Sequence, residues 1–248
     1  MPNEENVKYP AKPSMHMQRL GIIVPSSNTT VETEFSNILH GSNITLHTAR
    51  MPLKNVTAPE LAAMEKQATT AAKQLEDAQV DAVVYACTSG SMLNGLGHDI
   101  AIAEKLSTTA KCPAIVTTTA VIDALEHLQA QRIALATPYI AEINKREVDF
   151  LKAYGFGVVK TASLNIKENL KIGQLTSTDA ARLARTVDVP SADIVFISCT
   201  NFCTFEAIST LEEQLQKPVI SSNSATLWAA LKILKPNFHA CIGKLFNA

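Results

Sequence analysis

The chain has 248 residues, 46% of them hydrophobic, 18% charged and 5% aromatic, with 22 basic against 23 acidic side chains. That length builds one large domain or two small ones, and a formal charge of −1 with scattered Lys and Arg excludes an electrostatic hold on nucleic acid or an acidic membrane surface. The nine glycines form no dinucleotide or P-loop fingerprint, zincin and nucleophile-elbow motifs are missing, and no apolar run approaches the roughly 18 residues of a membrane span. Five cysteines without a C-x-x-C, behind a polar, Pro-containing start, read as reduced thiols in a cytoplasmic protein. The expected ligand is a small molecule.

In chain order, a tail over residues 1–18 precedes eight short apolar runs that alternate with stretches of helical period. The runs are Leu20–Val24, Ile44–Thr48, Ala82–Ala86, Ala114–Val116, Ile133–Ala136, Val158–Ser163, Ile194–Ile197 and Val219–Ile220. This is the pattern of parallel strands joined by crossover helices. Unbroken hydrophobicity in Ala82–Ala86 and Ile194–Ile197 predicts strands covered on both faces. Thr29-Thr30-Val31-Glu32 and Thr57-Ala58-Pro59-Glu60 read as capping boxes that open helices.

The two halves repeat. Asp81 to Thr88 (DAVVYACT) aligns with Asp193 to Thr200 (DIVFISCT) about 112 residues later; Pro25 answers to Pro138, and the Lys111–Thr117 segment to Lys217–Ser221. The fold expected is therefore α/β with two similar lobes related by a pseudo-two-fold, each a parallel sheet of about four strands flanked by helices. The lobes would span residues 19–130 and 131–248. One long doubly wound sheet is the alternative.

In parallel α/β sheets ligands bind beyond the carboxyl ends of the strands, where helix N-termini present free amides. The residues after the strands are hydroxyls, amides and two thiols: Pro25-Ser26-Ser27-Asn28-Thr29, Cys87-Thr88-Ser89-Gly90, Thr117-Thr118-Thr119, Thr137-Pro138-Tyr139, Cys199-Thr200-Asn201 and Ser221-Ser222-Asn223. Such a cleft suits a carboxylate held by neutral donors. Lobes related by a two-fold would bring Cys87 and Cys199 face to face, each beside a helix N-terminus that depresses its thiol pKa. One could then serve as nucleophile or base and the other as acid. On residue type alone both could be ordinary core cysteines; their recurrence at one strand end favours chemistry.

The segment GIIVPSSNTTVETEF, the cysteines in YACTSG and ISCTNF, the ALATPYI turn and the SLNIKENLKIG stretch resemble the maleate cis-trans isomerase family, within the Asp/Glu racemase superfamily that also holds arylmalonate decarboxylase. The resemblance runs from about Leu20 to Leu234. It implies a cofactor-independent enzyme in which Cys87 adds to a double-bond carbon of maleate, Cys199 handles the proton, and rotation and elimination release fumarate. Asn28 and Asn169 would hold carboxylates, and Tyr139 would donate a further hydrogen bond. Thr88 and Thr200, beside the cysteines, complete the expected substrate-binding set, with no metal. The sequence departs from the isomerase pattern beside the first cysteine, where polar Thr88-Ser89-Gly90-Ser91 stands in place of apolar residues. That wall could favour an amino, hydroxy or bulkier acid.

Other readings of the same residues are a racemase in which Cys87 and Cys199 are opposing bases, an arylmalonate-type decarboxylase, or a carboxylate-binding module. Without the resemblance, Asn28 reads as a turn residue, Tyr139 as a helix-start aromatic and Asn169 as a polar loop residue. Cys203, four residues after Cys199, would share a helix face with it and reads as packing, as do Cys112 and Cys241. The six histidines form no motif, and Arg50 and Lys54 read as solvated. The expected partner is a small mono- or dicarboxylate, without nucleic acid or membrane, and the expected assembly is a homo-oligomer, a dimer or higher.

Overall fold

Each of the eight apolar runs is a strand in the computed structural model, which describes residues 17–236, 238 and 240–247. The expected tail lies outside the described residues up to residue 16, as do His16 and His239; its last residue, Gln18, instead opens the first strand. The first half runs β1 (Gln18–Pro25), α1 (Val31–Leu39), β2 (Ile44–Met51), α2 (Ala58–Glu65), α3 (Ala68–Asp77), β3 (Ala82–Tyr85), α4 (Thr88–Ser91), α5 (His98–Ala110), β4 (Ala114–Val116) and α6 (Thr117–His127). The second runs β5 (Arg132–Thr137), α7 (Ala141–Ala153), β6 (Gly157–Ser163), α8 (Asn169–Ile172), α9 (Ser177–Val187), β7 (Ile194–Ile197), α10 (Phe205–Leu215), β8 (Val219–Ser221) and α11 (Ser222–Leu234). Among the described residues no helix is long and apolar enough to cross a membrane.

The strands form two four-stranded parallel sheets, ordered β2-β1-β3-β4 and β6-β5-β7-β8. The second order is the first repeated four strands later, so two sheets replace the single-sheet alternative. Parallel neighbours need crossovers, and the helices that supply them cover both sheet faces. Hence the interior strands β3 and β7 are buried at every position, while β6, on an edge, exposes most of its length, Lys160 included.

The two halves are stitched through backbone as well as side chains. Val56 donates its N–H to Lys167 O and Asn169 to Lys54 O, which ties the loop after β2 to the segment that opens α8. Helix α11 lies along α6, where the Thr226 hydroxyl donates to that of Thr117 at 3.1 Å.

The helix starts correct the sequence reading. At α1 the Asn28 side-chain oxygen, not a Thr–Glu box, accepts from the amides of Thr30 and Val31 at 3.0 and 3.1 Å, and Glu32 turns to pair with Arg50. At α2 the Glu60 carboxylate reaches back past the cap to the amides of Lys54 and Asn55 and to the Asn55 side chain. An arginine of β2 takes the carboxylate from the cap at α1, and the donors of the loop after β2 take it at α2. Reciprocal capping boxes form instead at Thr176/Asp179 and Ser221/Ser224.

Candidate active site

Cys87 follows β3 and caps α4, in extended backbone with φ −151°; Cys199 follows β7 with φ 102°. Both are buried, at 3% and 4% exposure, between the two sheets' carboxyl ends. Each lies close enough to the other's half that charge on Cys87 disfavours ionisation of both Cys199 and the Tyr139 hydroxyl. The structure thus brings together Cys87, Cys199 and Tyr139. Tyr139, itself buried, donates to the Cys199 sulfur.

The thiols do not behave as helix-terminus cysteines. Burial pushes Cys87 up to about 11, against the Gly90 N–H and the Ser89 hydroxyl, which favour its thiolate. Burial pushes Cys199 up to about 12, opposed by the Tyr139 hydroxyl and the Asn201 N–H at 3.4 Å. The expected depression fails for two reasons. Helix α4 has one turn of four residues, and the chain after Cys199 is a turn, with α10 beginning only at Phe205. A macrodipole needs several aligned peptides, and no Lys or Arg contributes to either thiol.

Around the sulfurs, neutral side chains brace one half against the other. The Asn28 amide nitrogen donates to Thr200 Oγ1 at 3.1 Å, and Thr200 in turn donates to Ala86 O, the carbonyl before Cys87. Thr88 Oγ1 donates to Ser222 Oγ at 2.8 Å, which also accepts the Cys199 N–H at 3.0 Å. One hydroxyl therefore links the residue after the first cysteine to the backbone of the second. Asn169 donates to Ser27 Oγ at 2.9 Å, and its carbonyl accepts from Asn201, whose side-chain oxygen receives the Thr29 N–H. Arg50 fixes the same corner from outside by donating to Ser26 O and Asn28 O. Asn28, Asn169, Thr88 and Thr200 are all buried at the junction of the halves, each with protein partners.

The polar stretch after Cys87 is less polar toward the sulfur than its composition implies. Ser91 donates to the carbonyls of Cys87 and Thr88 and accepts from Thr118, so it packs into α4. Only the Ser89 hydroxyl, 3.8 Å from the sulfur, and the Gly90 N–H face Cys87.

Three buried groups near the site escaped the sequence reading. Glu34 of α1 crosses to the second half and accepts from the amides of Thr204 and Phe205 and from Asn223 Nδ2. Glu147 of α7 is fully buried with both oxygens unpartnered; desolvation pushes it up to about 8, and the nearby Ser198 hydroxyl only partly offsets this. The Tyr85 hydroxyl is likewise buried without a partner. A signal existed for the two acids. Glu34 falls in step with buried Val31, Phe35 and Leu39, and Glu147 with Ile143, Phe150 and Leu151, on the apolar faces of their helices.

Cys203 does not share a helix face with Cys199, because no helix spans them; it lines a separate groove with Glu34, Glu206 and Cys241. Among the described residues no group of three or more His, Cys, Asp or Glu side chains could hold a metal ion. Two neighbouring buried thiols with a phenol at one of them can add to an activated double bond or exchange a carbon-bound proton.

The arylmalonate decarboxylase family profile matches residues 20–246. A maleate isomerase of Geobacillus stearothermophilus is 34% identical, over 87% of this chain and 91% of the relative. The fold superposes on a cysteine-to-alanine variant of the Pseudomonas putida S16 maleate isomerase with maleate, with a TM-score of 0.88 and 32% identity, covering 92% of this chain and 97% of that one. It also matches a cysteine-to-serine variant of the Nocardia farcinica maleate cis-trans isomerase carrying a covalently bound succinylcysteine intermediate, with a TM-score of 0.88 and 27% identity, covering 92% and 98%.

Proposed function

The chain belongs to the arylmalonate decarboxylase family, and from that premise we propose that it is an isomerase converting maleate, or a close cis-butenedioate, to fumarate through a cysteine adduct. The observation that carries the reading is the pair of buried thiols at equivalent strand ends, with Tyr139 at the second and neutral donors around both. Similarity to maleate isomerases over most of the chain supports it.

In this reading the Cys87 sulfur, as thiolate, bonds to one alkene carbon. The π-electrons pass to the neighbouring carbon, where the adjacent carboxylate delocalises them, and the Cys199 thiol protonates that carbon. The product is a succinyl thioether. Rotation about the new single bond carries one carboxylate to the opposite side. The Cys199 thiolate then removes the proton, the double bond reforms and Cys87 leaves as thiolate. One proton shuttles and atoms balance.

Asn28, Asn169 and Tyr139 hold the carboxylates and the developing charge, with Thr88 and Thr200 setting the walls. Neutral donors suit this task because a dianion in a closed site gains strength from each preorganised hydrogen bond. They also leave the carboxylates free to swing. The single hydroxyl that Ser89 turns toward Cys87 adds a donor without crowding the site. The division into lobes near residue 130 fits this chemistry, since each lobe brings one sulfur.

The test is incubation with maleate, followed by proton NMR. Fumarate should appear with the native protein and vanish with Cys87→Ala; a native protein that makes no fumarate at high concentration sinks the reading. Deuterium entering the α-position of an acidic amino acid in heavy water would instead identify a racemase.

A further inference from the structure

Tyr85 closes β3 two residues before Cys87, so the strand's period of two puts both side chains on one face of the sheet. The tyrosine is fully buried and its hydroxyl has no hydrogen-bond partner. A buried, unpaired hydroxyl costs stability unless another state of the site uses it.

What the hydroxyl faces follows from Gly90. A Cβ on Gly90 would sit 2.9 Å from the Tyr85 hydroxyl, 3.1 Å from the Cys87 sulfur and 3.0 Å from Met64 Cε. Tyrosine oxygen and cysteine sulfur therefore border the same spot, with no side-chain atom of residue 90 between them. Gly90 does not have a positive φ, so the backbone does not require glycine there. The close approach does.

We propose that Tyr85 is a third donor to the Cys87 thiolate, joining the Gly90 N–H and the Ser89 hydroxyl, and that Gly90 keeps the line between phenol and sulfur open. This rests on the reading of Cys87 as the nucleophile. It answers a problem the site poses: a desolvated sulfur without a cation must ionise during turnover, and aimed hydrogen bonds are the remaining means of holding the charge. The titratable groups facing the pair are few. Cys199 and Tyr139 approach from the second half with Glu147 behind them, and Glu65 of α2 lies beyond the phenol, paired with His98 at 3.1 Å.

The experiment measures alkylation of Cys87 by iodoacetamide between pH 7 and 10, read peptide by peptide with mass spectrometry. Tyr85→Phe should slow alkylation of Cys87 by about fivefold throughout that range, all of which lies below the value of about 11 to which burial pushes the thiol. Alkylation of Cys199 and exposed Cys241 should stay unchanged, and the melting temperature should hold or rise, because the variant removes a buried hydroxyl without a partner. Gly90→Ala should slow Cys87 comparably, and adding it to Tyr85→Phe should cost little more, because both remove the same approach of the phenol to the thiolate. In turnover, Tyr85→Phe should lower kcat and leave KM near native. A Cys87 profile unmoved by Tyr85→Phe overturns the proposal, as does equal slowing at Cys199, which would mark a general structural role. Alkylation needs no turnover, so a native protein that makes no fumarate yet shows the Tyr85 effect would refute the isomerase reading and leave this inference standing.

Discussion

Cys87 and Cys199 close equivalent strands of two sheets with the same order, yet the chain leaves them differently. Cys87 continues from extended backbone into one helical turn, which aims the Gly90 N–H at its sulfur. Cys199 sits at φ 102°, in the left-handed region that L side chains rarely adopt, and its sulfur meets the Asn201 N–H and the Tyr139 hydroxyl. Below them the halves differ again: Glu34, in the first, is satisfied by amides at the start of α10, whereas Glu147, in the second, has no partner. A repeated fold delivers two sulfurs to one place, and the turns after the strands decide what each can do. Burial holds the proton on both thiols, and each sulfur meets its own pair of donors, the Gly90 N–H and Ser89 hydroxyl at Cys87 and the Asn201 N–H and Tyr139 hydroxyl at Cys199.

The largest expected effect breaks the pair on the first side. Cys87→Ala should lower the rate of fumarate formation by roughly 10^5-fold, the scale of nucleophile removal, with the fold intact by circular dichroism. Cys199→Ala should cost less, about 10^3-fold in kcat, since proton handling contributes within that range; a variant with native kcat would end the asymmetric assignment. Single-turnover mass spectrometry sharpens it further, because a succinyl adduct should be found on Cys87 and not on Cys199.

Two smaller effects concern stability. Burial pushes Glu147 up to about 8 in the folded state, above the ordinary glutamate value of about 4.5. The pH-dependent part of its burial cost is therefore absent below pH 4.5, grows as pH rises toward 8, and levels off beyond. Glu147→Gln carries no such cost, so its gain over the native protein should grow from pH 4.5 to 8, reaching about 3 kcal/mol near pH 7. Urea denaturation across that range measures it, and a gap independent of pH would mean that Glu147 is already ionised. Smallest is the strain at Cys199: Cys199→Gly should be more stable than Cys199→Ala by about 1 kcal/mol, because glycine accepts φ 102° freely. Equal denaturation midpoints would show the turn to be relaxed.

The strands were legible because parallel strands covered on both faces must read as unbroken apolar runs; β3 and β7 are AVVY and IVFI. The placement of the two thiols at equivalent strand ends was legible through the repeat, while Asn28, Tyr139 and Asn169 were singled out by the family's motifs alone. The braces were not. That Thr88 and Cys199 meet at Ser222, 134 and 23 residues distant, depends on how the halves pack. The capping boxes misled because Glu32 and Glu60 had rival partners, Arg50 and the amides of Lys54 and Asn55, brought close only by folding.

The sequence by itself determined the architecture: hydrophobic period sets strand and crossover, and an internal repeat sets two copies of one strand order. It also singled out Cys87 and Cys199, since they recur at one strand end. Tertiary structure alone decided their electrostatics. A thiol's pKa follows from the water it loses and the donors it meets: the packing of both halves removes the water, and folding alone brings the Tyr139 hydroxyl to the Cys199 sulfur.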